Sequence, residues 1–193
     1  MSAVIDNNEL TGNRYRIGTW VAIAGVGMLF TSLSSAYIVR AGSSNDWVPL
    51  RMPRILLLST ALLLISSVTL ELGRRKLKTA LPAASKQWLL ITGVLGVTFL
   101  ISQVIAWRQL VGEGIYLVSN PHSSFFYLLS VTHAFHLVGG LLALGFLLLR
   151  ARKPIALTAQ VARRQAATDA VSIYWHFMDA LWIYLLVLLF VWR

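Results

Sequence analysis

Five apolar runs, at residues 17–39, 55–72, 88–107, 124–149 and 170–192, set the terms on which this chain can fold. A helix needs about 20 residues to cross the roughly 30 Å hydrocarbon core of a bilayer. Inside lipid every backbone N–H and C=O must be satisfied within the protein, which leaves helices as the solution for runs of this length. The reading is an all-α polytopic bundle of five transmembrane helices. Residues 1–16 form a polar tail ahead of a single membrane domain spanning 17–193.

The segments between the runs carry the Gly, Pro, Ser and Asn that end helices, and each is too short to hold a soluble domain. Pro53, Pro82 and Pro121 each fall shortly before a run, where a missing backbone N–H is tolerated. Composition agrees: 57% of residues are hydrophobic and only 12% charged, too few charges to keep such a surface in water.

The net charge of +10 would suggest nucleic acid if the basic residues lined one soluble face. They sit instead in short clusters between apolar runs, so no nucleic-acid partner is expected. The tail, second loop and fourth loop hold 2, 5 and 5 Lys and Arg, and the opposite side 3, 1 and 1. Positive residues are retained inside, so the N-terminus is predicted to be cytoplasmic and the C-terminus outside. Trp20, Trp47, Trp88, Trp107 and Trp192 stand near run ends, as an interfacial belt requires. Glu113 and Asp46 fall in outer loops and are expected to be solvated.

No cysteine is present, which excludes disulfides and thiolate ligands. No phosphate loop, nucleophile–base pair or paired catalytic carboxylate appears, so no catalytic centre is expected in this chain.

The informative residues are polar ones inside the last two runs. HAFH places His133 and His136 three apart, and HFMD does the same for His176 and Asp179. Each pair shares one helix face. At about 1.5 Å per residue, His136 and Asp179 fall in nearly the same middle layer. Ionisable residues in a bilayer point into the bundle and find partners. A His136–Asp179 contact between the fourth and fifth helices is therefore the expected tie. Two other readings stay open: support of a lipid or proton pathway, and a metal or haem site built from three imidazoles and a carboxylate.

Elsewhere, Gln103 and Trp107, four apart, suit a contact to the next helix or an interfacial anchor. Ser66 and Ser67 can satisfy their own helix backbone. Small residues at 24–27 and 32–36, with Gly93, Gly96, Gly139 and Gly140, suit close helix packing. The basic loops could meet anionic headgroups, although topology accounts for them.

SFFYLLSVTHAFHLVGGLLAL (124–144) and SIYWHFMDALWIYLLVLLF (172–190) resemble the last two helices of cytochrome c oxidase subunit III. The matching positions are Phe125, Phe126, Tyr127, His133, His136, Tyr174, Trp175, His176, Asp179 and Trp182. GTWVAIAGVGMLFTSLSSAYIVR resembles the family's first shared helix through Gly18, Trp20, Met28, Phe30, Tyr37 and Arg40. LLLISSVTLELG and FLISQVIAW fit the next two through Ser66, Ser67, Gln103 and Trp107. The similarity runs from about residue 16 to the end, and five helices correspond to the short bacterial form.

The resemblance implies an accessory subunit of a haem–copper terminal oxidase in a bacterial inner membrane. The chain itself would hold no cofactor. Haem and copper would belong to a partner catalytic subunit I, joined through it to subunit II. Retained phospholipid and support of proton uptake are further implied roles. Tyr37, Arg40, Gln103, Trp107, Trp175 and Trp182 are candidates for subunit-interface or lipid contact, and His133, His136, His176 and Asp179 for an interhelical polar layer.

One departure is evident. The family's first shared helix usually carries a Ser-Glu pair, where this chain has Gly25 and Val26. Neither side chain can ionise, so the role linked with that acid does not carry over. Related small proteins of quinol oxidases and nitric oxide reductase systems fit the same pattern, and a free-standing haem- or metal-binding electron carrier is the reading from another class.

Overall fold

The structure is a computed structural model that describes residues 2–43, 47, 53–79, 81–151 and 158–191. Asp46 and Trp192, with the topology-counted cations Arg51, Arg152, Lys153 and Arg193, lie outside the described residues. Among the described residues, five helices make up the bundle: α1 (Ser2–Ser43), α2 (Ile55–Lys78), α3 (Pro82–Gly112), α4 (Pro121–Arg150) and α5 (Thr158–Val191). All five contain a stretch long and apolar enough to cross a membrane.

The helices run past the apolar stretches at most ends, because polar residues at the interface continue a helix without penalty. α1 has 42 residues, about 63 Å at the helical rise and roughly twice the hydrocarbon thickness. Its backbone stays helical from Ser2, through the segment read from the sequence as a separate tail.

Helix starts follow local chemistry. Pro82 opens α3, and Pro121 opens α4. Asn120 caps α4: its side-chain oxygen accepts from the Ser123 N–H at 3.0 Å, and the Ser123 hydroxyl accepts from the Asn120 N–H at 3.2 Å. This reciprocal pair satisfies two orphan donors at the helix start. α3 ends where Gly114 takes φ +79°. That left-handed turn lets Ile115 N–H donate back to the Leu110 carbonyl at 2.9 Å.

α2 and α3 form the most extensively packed pair, while α5 touches α1, α2 and α4. Trp175, Trp182, Tyr37, Phe30, Phe99 and Phe126 fill the centre and are essentially inaccessible. Thr31, Ser32 and Thr98 are exposed on the outer faces, and each donates to the carbonyl four residues back. A hydroxyl engaged in this way can face lipid.

Candidate functional site

The polar residues of α4 and α5 lie within the bundle, but they do not pair as the sequence suggests. His136 turns its Nδ1 to the Thr132 carbonyl of its own helix at 2.8 Å. Both carboxyl oxygens of Asp179 are buried without a hydrogen-bond partner among the described residues. The expected His136–Asp179 tie is therefore absent. Depth along a helix fixes level, while rotation about the axis decides which neighbour a side chain meets. Rotation directs this face of α5 to α2, where His176 Nδ1 meets the Ser67 hydroxyl at 2.5 Å. Ser67 thus serves an interhelical contact, whereas Ser66 does bond its own backbone, donating to the Leu63 carbonyl at 2.6 Å.

His133 is fully buried in an aromatic cage. The Trp182 ring lies 5.0 Å from it, and Phe99 and Phe30 approach edge-on at 6.1 and 6.5 Å. Neither of its ring nitrogens has a hydrogen-bond partner among the described residues. Phe30 also meets the His136 ring at 5.8 Å, which brings α1 onto both histidines of α4. Among the described residues, no three His, Cys, Asp or Glu side chains converge in a way that could hold a metal ion. His133 faces the Trp182 cage, His136 its own backbone and His176 the Ser67 hydroxyl.

A set of hydrogen bonds ties neighbouring helices. Trp175 Nε1 donates to Ser66 Oγ at 3.1 Å, and Trp182 Nε1 donates to Thr60 Oγ1 at 3.0 Å. Gln103 Nε2 donates to Ser59 Oγ at 3.0 Å, joining α3 to α2, and Trp107 Nε1 donates to Ser130 Oγ at 3.1 Å, joining α3 to α4. Tyr174 O–H donates to the His136 carbonyl at 3.0 Å.

Tyr37, Gln103, Trp175 and Trp182 are all no more than 2% exposed, so they sit in the core and not at a lipid or subunit surface. Trp175 and Trp182 each combine a large apolar body with an N–H that finds a partner inside, a combination that favours burial once the tip is paired. For Gln103 the partner is Ser59 on the preceding helix, α2, and it is Trp107 that meets the next helix, α4, through Ser130. Arg40 and Trp107 are half-buried and remain within reach of the surface.

One cluster escapes a reading of the spans. His122, fully buried at the start of α4, stacks on Trp47 at 5.0 Å and 11°, with Tyr37 beside both. Trp47 lies in a loop, and no periodicity announces a loop residue that folds back over a helix start. Its only sequence signal is its aromatic character near a run end.

At the level of the missing acid, Val26 is buried in the core and Gly25 faces outward with open space around it. An apolar groove of about 470 Å³ lies between α1, α4 and α5. Its walls include Gly18, Ala22, Gly139, Ala143 and Tyr174, and Arg14 stands among its lining residues.

At the opposite end of the α2–α5 contact from Trp182, Arg74 Nε pairs with Asp169 at 2.5 Å and Arg74 NH1 with Glu71 at 2.9 Å. Lys78 reaches the same Asp169 oxygen at 3.4 Å.

The sequence profile of the family described as cytochrome c oxidase subunit III matches residues 15–193. A protein named "Probable cytochrome c oxidase subunit 3" from Nocardia farcinica is 33% identical over 175 residues, covering 89% of this chain and 84% of that protein. One of the same name from Mycobacterium bovis is 31% identical over 182 residues, covering 92% and 88%. "Cytochrome c oxidase subunit 3" from Thermostichus vulcanus is 29% identical over 181 residues, covering 91% and 86%.

Proposed function

The chain belongs to the cytochrome c oxidase subunit III family, and from that premise we propose that it is an accessory, cofactor-free subunit of a bacterial haem–copper terminal oxidase. It packs beside the catalytic subunit I, which holds haem and copper and reduces oxygen, and reaches subunit II through it. The observation that carries the accessory role is how the histidines are used. His122 stacks on Trp47, His133 fills an aromatic cage, His136 bonds its own helix, and His176 ties α5 to α2. These are packing duties, and they leave the redox chemistry to the partner.

The chain lies in the bacterial inner membrane with its N-terminus cytoplasmic, as the Lys and Arg distribution favours. The groove between α1, α4 and α5 suits a phospholipid acyl chain, with Arg14 available to a headgroup phosphate. Support of proton uptake, the third element of the family role, has no acid at positions 25 and 26 to rest on.

Deletion of the gene tests the proposal. Membranes from the deletion strain should retain the haem spectrum of the catalytic subunit, while the oxidase becomes labile in detergent and loses activity during sustained turnover. Unchanged lability and lifetime would contradict the accessory role, and loss of the haem signal from cells that still contain subunit I would contradict the cofactor-free assignment.

A further inference from the structure

A line of polar side chains runs between α2 and α5 for which apolar packing gives no reason. On α5, Asp169, Ser172, His176 and Asp179 recur at intervals of three, four and three residues, which keeps them on one face. On α2, Lys78, Arg74, Glu71 and Ser67 recur at four, three and four. The two stripes meet. At the rim, Arg74 joins Asp169 and Glu71, and all three side chains are about a third exposed. One step inward, past the buried Ser172, His176 stands on the same face of α5 as Asp169. Next, His176 Nδ1 meets the Ser67 hydroxyl at 2.5 Å, and Asp179 follows His176 by three residues on the same face of α5.

Asp179 is 4% exposed and has no hydrogen-bond partner among the described residues on either oxygen, and the buried Ser172 hydroxyl on the same stripe also has none. Beyond Asp179 the polar line stops at Trp182, which packs edge-on to Phe99 and against His133. An unpaired carboxylate at this depth is costly, whereas a protonated carboxyl is tolerated. We propose that Asp179 is a proton-binding site of this chain, and that Ser67 and His176 are its route to the Arg74–Asp169 rim.

The transfer balances without any other reactant. With its own proton on Nε2, His176 accepts the Ser67 hydroxyl proton at Nδ1, and Ser67, once the Asp179 carboxyl turns onto it, takes the proton of Asp179 in the same step. His176 then releases its Nε2 proton to water at the rim. The net change is one proton lost from Asp179, which becomes a carboxylate, and His176 is left as the Nδ1–H tautomer until its ring proton returns to Nε2 through water.

Few other ionisable groups face this site. α2 contributes Glu71, Arg74 and Lys78, and α5 contributes His176 and Asp169. α4 contributes His133, on the far side of Trp182, and His136, turned to the Thr132 carbonyl. α1 carries no ionisable side chain between Arg16 and Tyr37, and α3 none between Lys86 and Arg108.

Infrared difference spectroscopy on the full chain in lipid vesicles tests the proposal independently of the oxidase role. The C=O stretch of a protonated carboxyl should be present near neutral pH and vanish in Asp179→Asn. In heavy water that band should shift rapidly in the unaltered chain. Ser67→Ala and His176→Gln should each slow the shift on the order of a hundredfold, the worth of a positioned proton-transfer group. Ser66→Ala, which removes the Trp175 and Leu63 contacts and none along the route, should leave the rate unchanged. The absence of an Asp179-dependent band would overturn the site. An unchanged exchange rate in both Ser67→Ala and His176→Gln would overturn the route.

Discussion

Trp175 of α5 covers Gly96 of α3 so closely that a Cβ on residue 96 would come within 2.9 Å of the indole ring. The same Cβ would meet Leu141 of α4 at 3.0 Å. A residue without a side chain thus lets a fully buried tryptophan pass between three helices and still place its N–H on Ser66.

Gly96→Ala should therefore lower the unfolding free energy in detergent by about 1–3 kcal/mol, the usual cost of overpacking. Gly25→Ala is the matched control, since nothing lies within 4 Å of an added Cβ there. It should fall within about 0.5 kcal/mol of the unaltered chain. Thermal unfolding followed by helical circular dichroism measures both.

Gln103 and Ser59 are both buried in the α2–α3 interface and share one hydrogen bond at 3.0 Å. Interhelical hydrogen bonds in membranes average about 0.6 kcal/mol in double-mutant cycles. A cycle of Gln103→Leu and Ser59→Ala should return a coupling of about that size, read from equilibrium unfolding in mixed micelles. A coupling of zero would mean that packing alone holds α2 to α3 at this level.

Arg74 and Asp169 join α2 to α5 where both side chains are about a third exposed. Solvent screening limits such a pair to about 1 kcal/mol or less. A cycle of Arg74→Gln and Asp169→Asn should give a coupling in that range, and added salt should shrink it.

The five spans were legible in the sequence because apolar runs of membrane length admit few folds. Helix starts were legible too: Pro82 and Pro121 stand at the first positions of α3 and α4. The partner of the HFMD face was not. Counting residues placed His136 and Asp179 at one level, but level carries no rotation, and α5 turns His176 to Ser67. The Trp47–His122 stack escaped because a loop has no period from which its fold-back can be read. The inward placement of Trp175 and Trp182 depends on polar tips meeting Ser66 and Thr60, which only the assembled bundle reveals.

The natural chain has no cysteine, so single introduced cysteines report topology without background. Glu113→Cys should react with a membrane-impermeant thiol reagent added outside intact cells. Lys86→Cys should react only once the membrane is opened. The reverse pattern would place the N-terminus outside and contradict the orientation.

The accessory, cofactor-free role is tested most directly by purifying the tagged chain from native membranes in mild detergent and recording reduced-minus-oxidised spectra. Haem and copper should co-purify with a large catalytic subunit and leave when that subunit is stripped away. Haem or metal remaining on this chain alone would contradict the account and make His133, His136 and His176 ligands.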